Sequence, residues 1–275
     1  MEGNRKIGLT AEAVAALRAD KGMPYNDYFA TSRGRNLIRL ASLLMPKGIL
    51  DERIELSRAF EQILNEYDPE QVVELASGGS ALGLQWATKH PDRVYVESDM
   101  SDVAQRKKEI LKDIRTAEGL PNYGNHFVES VDVLADDIYR VIGKHLASGK
   151  KTLVIAEALT PFFDSSQHDR LVDNISNLLG NVNGGSYVSH DLDPEGFRNI
   201  TSGLGGKLLM WYVQKRIGNR VHSHFRNPEE AKRYFLERGF PDFKTLREVL
   251  GEEGIKRYER LGREKPIMPV YMVSK

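Results

Sequence analysis

The sequence contains no cysteine and no excess of charge of either sign. Without cysteine, the chain has no disulfide scaffold, no thiolate zinc site and no catalytic thiol. Its 39 Lys and Arg residues are balanced by 39 Asp and Glu residues, so the one-sided basic field of a nucleic-acid-binding protein is missing. We therefore expect no nucleic-acid partner, and the lack of cysteine fits a reducing compartment.

Long apolar runs are missing as well. No stretch approaches the ~18–20 apolar residues that are needed to span a bilayer. Glu12 and Arg18 interrupt the segment after the basic N-terminus, which makes it a poor signal peptide. We expect a cytoplasmic protein without a membrane partner.

Short β-rich runs alternate with helical patterns through the middle of the chain. The predicted strands are 71–75, 93–97, 125–129, 152–156 and 185–189, and the predicted helices between them are 81–90, 101–117, 132–147 and 166–180. Such alternation is typical of right-handed βαβ crossovers. It predicts an α/β fold with a doubly wound, mostly parallel, Rossmann-like sheet.

Helical patterns flank this alternating region on both sides. Helices are predicted at 10–21 with Thr10 as N-cap, at 35–45, from Asp51 onward, over 194–218, and after the N-cap Asn227. The final run MPVYMVS has no helix after it, so it must pair antiparallel or lie at an edge. We predict one domain in three parts: a helical N-terminal extension or lid (1–68), a nucleoside-binding core (69–190), and a helical insertion with C-terminal strands (191–275).

The most informative stretch is a glycine turn that directly follows the first predicted strand. Strand, glycine turn, helix and an acid after the second strand serve both NAD and S-adenosylmethionine. The NAD fingerprint G-x-G-x-x-G fails here, because Ala76 stands first and the spacing of Gly78, Gly79 and Gly83 is wrong. On its own the turn is also compatible with a purely structural role.

Several further segments carry a resemblance to a known family. They are AVAALRA (13–19), YNDYFA (25–30), SRAF (57–60), VVELASG (72–78), VESDMSDVAQRKKEIL (96–111), SVDVL (130–134) and LVIAEALTPFF (153–163). With them the sequence resembles the class I S-adenosylmethionine-dependent methyltransferases, and more narrowly the leucine carboxyl methyltransferase family with its small-molecule O-methyltransferase relatives. The resemblance implies S-adenosylmethionine as methyl donor and S-adenosylhomocysteine as product.

The resemblance also implies a set of donor-binding residues. They are Glu74, Ala76 and Gly78 at the strand and turn, Asp99 on the ribose hydroxyls, Asp132 and Val133 at the adenine, Glu157 near the methionine end, and Arg18 and Arg58 on the methionine carboxylate. A guanidinium pairs with a carboxylate in bidentate fashion, and a carboxylate accepts hydrogen bonds from a diol. The residues alone also allow Arg18 and Arg58 to be solvated helix charges, and Asp132 to cap a helix that begins at 133.

The sequence departs from the family pattern at three places. Ala76 stands where the family has glycine, Ser80-Ala81-Leu82 replaces an Asp-Thr-Arg run, and Glu157-Ala158 replaces Glu-Gly. These departures indicate a distant relative. They weaken the expectation of a leucine-carboxyl substrate more than the expectation of S-adenosylmethionine as methyl donor.

Candidate residues for the acceptor chemistry lie beyond the fifth strand. They are His190, Tyr212, His222 and His224. A carboxylate acceptor is ionised at pH 7 and needs no base, whereas a hydroxyl acceptor benefits from one. The spacing of His222 and His224 also suits a metal pair, but no third ligand is evident and we predict no metal.

We expect O-methylation of a small-molecule carboxylate or hydroxyl, by a monomer or homodimer. Two alternatives remain open. One is a protein carboxyl methyltransferase, and the other is a homologue that binds S-adenosylmethionine without methylating.

Overall fold

The computed structural model describes residues 4–45, 48–135, 137–217, 220–259 and 268–275. Its strands are β1 (Gln71–Leu75), β2 (Val94–Asp99), β3 (His126–Ser130), β4 (Thr152–Ala156), β5 (Ser186–His190), β6 (Asp242–Thr245) and β7 (Val270–Ser274). They form one sheet in the order β3-β2-β1-β4-β5-β7-β6. The first five strands are parallel, and β7 pairs antiparallel with β5 and β6. The predicted fold class and the antiparallel final strand are therefore confirmed.

The helices are α1 (Asn4–Asp20), α2 (Ser32–Leu44), α3 (Ile49–Tyr67), α4 (Leu82–Lys89), α5 (Ser101–Glu118), α6 (Ile138–Ile142), α7 (Ser165–Asn181), α8 (Pro194–Ser202), α9 (Leu204–Ile217), α10 (Pro228–Glu237) and α11 (Leu246–Glu259). None of these described helices is both long enough and apolar enough to cross a membrane.

Several helix predictions were wrong in extent. The first helix starts before Thr10, so Thr10 is not its N-cap. The helix predicted over 132–147 shrinks to α6, because the Asp132 side chain accepts from the Leu134 backbone and closes a local turn instead of capping a helix. The single helix predicted over 194–218 is two helices, since the backbone of Gly203 is extended between α8 and α9. The sequence patterns also missed β6 and α11.

The core lies on both faces of the sheet, as alternating strand side chains require. On β1, Val73 joins an apolar cluster that includes residues of α6, α7 and α10, while its neighbour Val72 joins one that includes residues of α3, α4 and α11. All five residues of β1 and of β4 are buried. A parallel sheet covered on both faces leaves the carboxyl ends of its strands as the place where a ligand can enter.

Helix α1 packs directly on the turn that follows β1. A Cβ atom on Gly78 would lie 3.0 Å from the Cβ of Ala11, and one on Gly79 would lie 3.0 Å from the Cβ of Ala15. The glycines of the turn therefore make room for the N-terminal helix. In this way the turn fixes the N-terminal helices over the carboxyl ends of the strands.

Candidate functional site

A cavity of about 360 Å³ opens at the carboxyl ends of the strands. Its lower wall comes from the ends of β1, β2, β4 and β5, and its upper wall comes from α1, α2, α3, α8 and α9. In open α/β sheets this is where ligands bind. The volume falls within the range of small-molecule sites.

The turn after β1 is tied to the end of β2 by Asp99. The Oδ2 atom of Asp99 accepts from the Gly78 backbone N–H at 2.7 Å, and Oδ1 accepts from the Met100 N–H at 2.8 Å. Burial raises the pKa of Asp99, and these two hydrogen bonds oppose that shift. Since each carboxylate oxygen offers more than one lone pair, Asp99 can still accept from a ligand diol in the cavity that it lines.

A buried ionic cluster centres on Glu157, which follows β4. Its Oε1 accepts from Arg18 Nη2 at 2.7 Å, from Arg53 Nη1 at 2.6 Å and from Ser57 Oγ at 2.8 Å. Burial alone would raise the pKa of Glu157, but the two guanidinium groups outweigh burial and hold it at about 2. Two guanidinium groups therefore line this part of the cavity, and a guanidinium can pair with an anionic ligand group.

Arg58 is not part of this cluster. Its Nη1 donates to Glu55 at 2.6 Å within α3, and its side chain is 42% exposed. Arg53, and not Arg58, lines the cavity together with Arg18. The available signal was the spacing of Arg53 and Ser57, because residues four apart lie on one face of a helix whereas Arg58 is turned away from them.

Glu74 of β1 lines the cavity beneath the turn. Its Oε2 accepts from the Tyr95 hydroxyl at 2.8 Å. Burial raises the pKa of Glu74 to about 7, so the carboxyl group is poised between its two protonation states at neutral pH. A cation that binds beside it would favour the ionised form.

The neighbouring acid Glu97 has a structural role below the turn. It is fully buried, pairs with the Lys107 ammonium, and accepts from His126 Nε2 at 2.6 Å. Burial would raise the pKa of Glu97, but Lys107 and then His126 hold it at about 2. Lys107 also donates to the Ser77 carbonyl at 3.4 Å, and so links this network to the turn.

His190 ends β5 and lines the cavity. Its Nδ1 accepts from the Ala158 backbone N–H at 3.3 Å, so the proton of the neutral ring resides on Nε2. Burial lowers the pKa of His190 to about 3. The ring is therefore neutral at pH 7, and its Nε2–H is a hydrogen-bond donor.

His222 and His224 are not among the described residues that line the cavity. His224 stacks on His168 with ring centroids 4.0 Å apart, and its Nε2 contacts the Thr160 carbonyl at 2.9 Å. The backbone N–H of His222 donates to the Pro161 carbonyl at 2.8 Å. The side chain of Tyr212 lies outside the described residues.

Asp132 and Val133 follow β3 at the same edge of the sheet. The Val131 N–H donates to the Asp99 carbonyl at 2.9 Å, which places this loop next to Asp99. Neither Asp132 nor Val133 is among the described residues that line the cavity. The structure thus gathers Arg18, Glu74, Ala76, Gly78, Asp99, Glu157 and His190 around one cavity, and adds Arg53 and Ser57 to their contacts.

Comparisons with known proteins show which family and which solved structures this chain is similar to. The model of the leucine carboxyl methyltransferase family matches residues 46–176, a little under half of the chain. A methyltransferase candidate from Thermobifida fusca superimposes with a TM-score of 0.62 at 16% identity, over 96% of this chain and 94% of its own. The chain is a class I S-adenosylmethionine-dependent methyltransferase that resembles the leucine carboxyl methyltransferase family.

A second solved structure shares the fold of this methyltransferase over a smaller part of its length. It is an O-methyltransferase candidate from Nostoc punctiforme, with a TM-score of 0.50 at 14% identity, matched over 83% of this chain and 56% of its own. No curated protein matches the sequence significantly. At these identities the solved structures establish the fold but not the methyl acceptor.

Proposed function

We propose that this methyltransferase transfers the methyl group to an oxygen atom of a small, largely apolar molecule, and that the oxygen belongs to a carboxylate. One observation carries the proposal. A single cavity joins a polar region of donor-binding character to an apolar region that is closed by helices.

The polar residues of the cavity match the groups of S-adenosylmethionine. We assign the ribose diol to Asp99, the donor carboxylate to Arg18 and Arg53, and the donor ammonium to Glu74. Charge supports the last two assignments, because Arg18 and Arg53 are cationic and Glu74 is acidic. Asp132 and Val133 adjoin Asp99, which keeps them candidates for the adenine.

Most of the remaining wall of the cavity is apolar, with Thr10 and Glu52 as its polar members. Its apolar part includes Val14, Leu37, Ile38, Ala41, Met45, Ile49, Leu50, Leu159, Phe162, Leu192, Phe197, Met210, Val221 and Met268. Such a wall binds its ligand mainly by burying apolar surface. The helical closure also disfavours an acceptor at the end of a protein chain.

The chemistry is an in-line displacement at the methyl carbon. A lone pair of the acceptor oxygen forms the new C–O bond while the C–S bond breaks, and the sulfonium becomes a neutral thioether. The protein has to align the two partners and exclude water. His190 is neutral and its Nε2 carries a proton, so it orients an acceptor oxygen by donating to it and does not take up a proton. A carboxylate arrives already ionised and therefore suits this site.

The test combines donor binding with methyl transfer. We expect S-adenosylhomocysteine to raise the melting temperature, and Asp99→Asn to weaken its binding by roughly ten- to a hundredfold, as for the loss of a hydrogen bond to a charged group. Asp102→Asn is the control, because Asp102 is exposed at the start of α5. No melting shift at millimolar ligand would contradict donor binding.

The acceptor is tested with matched compounds. We expect labelled methyl groups to appear on apolar carboxylic acids, and far less on the corresponding alcohols or on peptides that end in leucine. Preferred labelling of the alcohols would refute the carboxylate assignment. Preferred labelling of the peptides would favour a protein carboxyl methyltransferase instead.

A further inference from the structure

The two helices α2 and α9 differ in charge from the rest of the molecule. The chain as a whole is neutral, with equal numbers of basic and acidic residues. In contrast, α2 and α9 together contain six basic residues and no acidic residue: Arg33, Arg35, Arg39, Lys207, Lys215 and Arg216. Arg35 is paired with Asp20 and Asp27 of neighbouring segments, whereas Arg33, Arg39, Lys207 and Lys215 are exposed.

The outer face of α9 alternates large apolar side chains with lysines. Leu204, Leu208 and Trp211 are 78%, 51% and 59% exposed. Lys207 and Lys215 fall on the same face, since the spacing 204, 207, 208, 211, 215 follows one side of a helix. The Lys215 ammonium lies 4.9 Å from the centre of the Trp211 ring, which confirms that these side chains are neighbours.

The outer face of α2 continues this surface. Leu40 is 40% exposed and Leu43 is 82% exposed, with Arg39 beside them. The two helices are in contact at Gly205 of α9 and Leu44 of α2. The approach is so close that a Cβ atom added to Gly205 would lie only 2.5 Å from the backbone oxygen of Leu44. Leu43 and Leu204 each precede one of these contacting residues, so they flank the crossing.

We call these five side chains, Leu40, Leu43, Leu204, Leu208 and Trp211, the cover patch. They are five of the eight large apolar side chains that stand exposed in the part of the chain described by the structure. A soluble monomer seldom gathers so many on one surface without a partner.

We propose that the cover patch docks on a membrane surface that contains anionic lipids. Leucine and tryptophan interleaved with lysine and arginine are typical of helices that lie in the bilayer interface. The basic residues complement anionic headgroups, and side chains that protrude this far fit a fluid acyl layer better than a rigid protein groove. Docking of this kind requires no membrane-spanning helix. It differs from the expectation, drawn from the sequence, that the protein has no membrane partner.

A second copy of the chain fits the cover patch less well. A two-fold symmetric contact places each patch against itself. The lysines and arginines of one copy would then meet those of the other, and no acidic residue of α2 or α9 would offset their repulsion.

The position of the patch connects docking with the cavity. Leu37, Ile38 and Met210 of the same two helices line the cavity on their inner side. An apolar acceptor dissolved in the bilayer would therefore meet the helices that close the cavity. This consequence rests on the proposed function, whereas docking itself does not.

The experiment is co-sedimentation of the full chain with vesicles. We expect binding to vesicles of equal parts phosphatidylcholine and phosphatidylserine, little binding to phosphatidylcholine alone, and weaker binding as the salt concentration rises. Leu43→Ser combined with Leu208→Ser should weaken binding about tenfold or more, because two apolar side chains no longer enter the interface. Lys207→Glu combined with Lys215→Glu should remove the preference for anionic vesicles.

The matched control is Leu236→Ser. Leu236 is 55% exposed, a fraction similar to the 51% of Leu208, but it lies on α10 and not in the cover patch. It should leave vesicle binding unchanged, and all variants should retain the wild-type melting temperature shift with S-adenosylhomocysteine.

Absence of vesicle binding, or binding that the patch variants leave unchanged, would overturn the proposal. A dimer that dissociates in the Leu43→Ser, Leu208→Ser variant would assign the patch to a second copy and would also overturn it. Because no methyl transfer is measured, failure here does not affect the proposed function.

Discussion

The floor and the cover of the cavity are built on different physical principles. The floor consists of the strand ends with Glu74, Asp99 and Glu157, whose polar atoms are held by specific hydrogen bonds. The cover, α2 with α8 and α9, faces the cavity with apolar side chains. Polar groups in fixed positions recognise one ligand, whereas apolar walls tolerate several of similar shape.

This difference separates the two substrates of the reaction. The donor is the same for every class I methyltransferase of this kind, and a preorganised floor suits a constant ligand. The acceptor varies among relatives with one fold, and contacts on a helical cover vary more easily than a buried ionic cluster. Substitutions in the floor should therefore affect stability and donor binding, and those in the cover should affect the acceptor.

The largest effect is expected from Glu157→Gln. The substitution leaves the guanidinium groups of Arg18 and Arg53 without their shared anion in a buried site. We expect the free energy of unfolding to fall by about 3–5 kcal/mol in urea titrations, the range for breaking a buried ion pair. Glu55→Gln is the control, because its partner Arg58 is exposed and such pairs contribute about 0–1 kcal/mol. Equal losses in the two variants would contradict the distinction.

The same cluster predicts a response to acid. Because the folded pKa of Glu157 lies at about 2, below its ordinary value, its stabilisation is complete above that ordinary value and is lost as the pH falls toward 2. The wild-type protein should lose stability in this window more steeply than Glu157→Gln.

A smaller effect, confined to the acceptor, is expected from Ile38→Ala in the cover. Ile38 is half-buried and lines the cavity from α2. Removing its outer carbons should raise the KM for an apolar acceptor by about tenfold, from the apolar contact that is lost. The Kd for S-adenosylhomocysteine should stay unchanged, as measured by calorimetry. If both constants changed together, the floor and the cover would not be separable.

The protonation of Glu74 predicts a several-fold effect of pH on donor binding. Because burial raises the pKa of Glu74 to about 7, its ionised fraction increases as the pH rises from 6 to 7.5. Since the donor ammonium pairs with the ionised form, the affinity for S-adenosylhomocysteine should rise several-fold across this interval. Calorimetry on Glu74→Gln should give weaker binding and a flat profile. A wild-type profile that is equally flat would contradict the assignment of the ammonium to Glu74.

The sequence predicted the floor better than the cover. The bounds of β1 and β4 were predicted correctly as 71–75 and 152–156, because buried parallel strands read as short continuous apolar runs. Glu157 was predicted from the family resemblance and from its place after β4 at the carboxyl edge of the sheet. The choice of Arg53 over Arg58 was missed, although the four-residue spacing of Arg53 and Ser57 indicated it; residues five apart, such as Arg53 and Arg58, lie about 140° apart around a helix.

Predictions failed at one local side-chain contact and at contacts between segments far apart in the sequence. The pattern over 132–147 is compatible with a long helix, but the Asp132 side chain closes a turn with Leu134 and only α6 remains. The break at Gly203 lets α9 turn onto α2, a contact between segments far apart in the sequence. The stacking of His224 on His168 likewise has no signature in the spacing of the histidines.

The smallest predicted effect concerns the two alanines that replace family glycines. Ala76 and Ala158 have φ angles of 51° and 58°, so the chain keeps the left-handed backbone without the residue that adopts it readily. Ala76→Gly should relieve about 1–2 kcal/mol of steric cost, against about 0.4–1 kcal/mol of added unfolded-state entropy. The middles of these ranges give an expected gain of about 0.8 kcal/mol in urea unfolding. Gly78→Ala provides the reverse control, because it adds a Cβ at a φ of 49° only 3.0 Å from Ala11 and should destabilise. If Ala76→Gly destabilised instead, then contacts of the alanine methyl group, rather than backbone conformation, would explain why this chain departs at the turn from the family that it resembles.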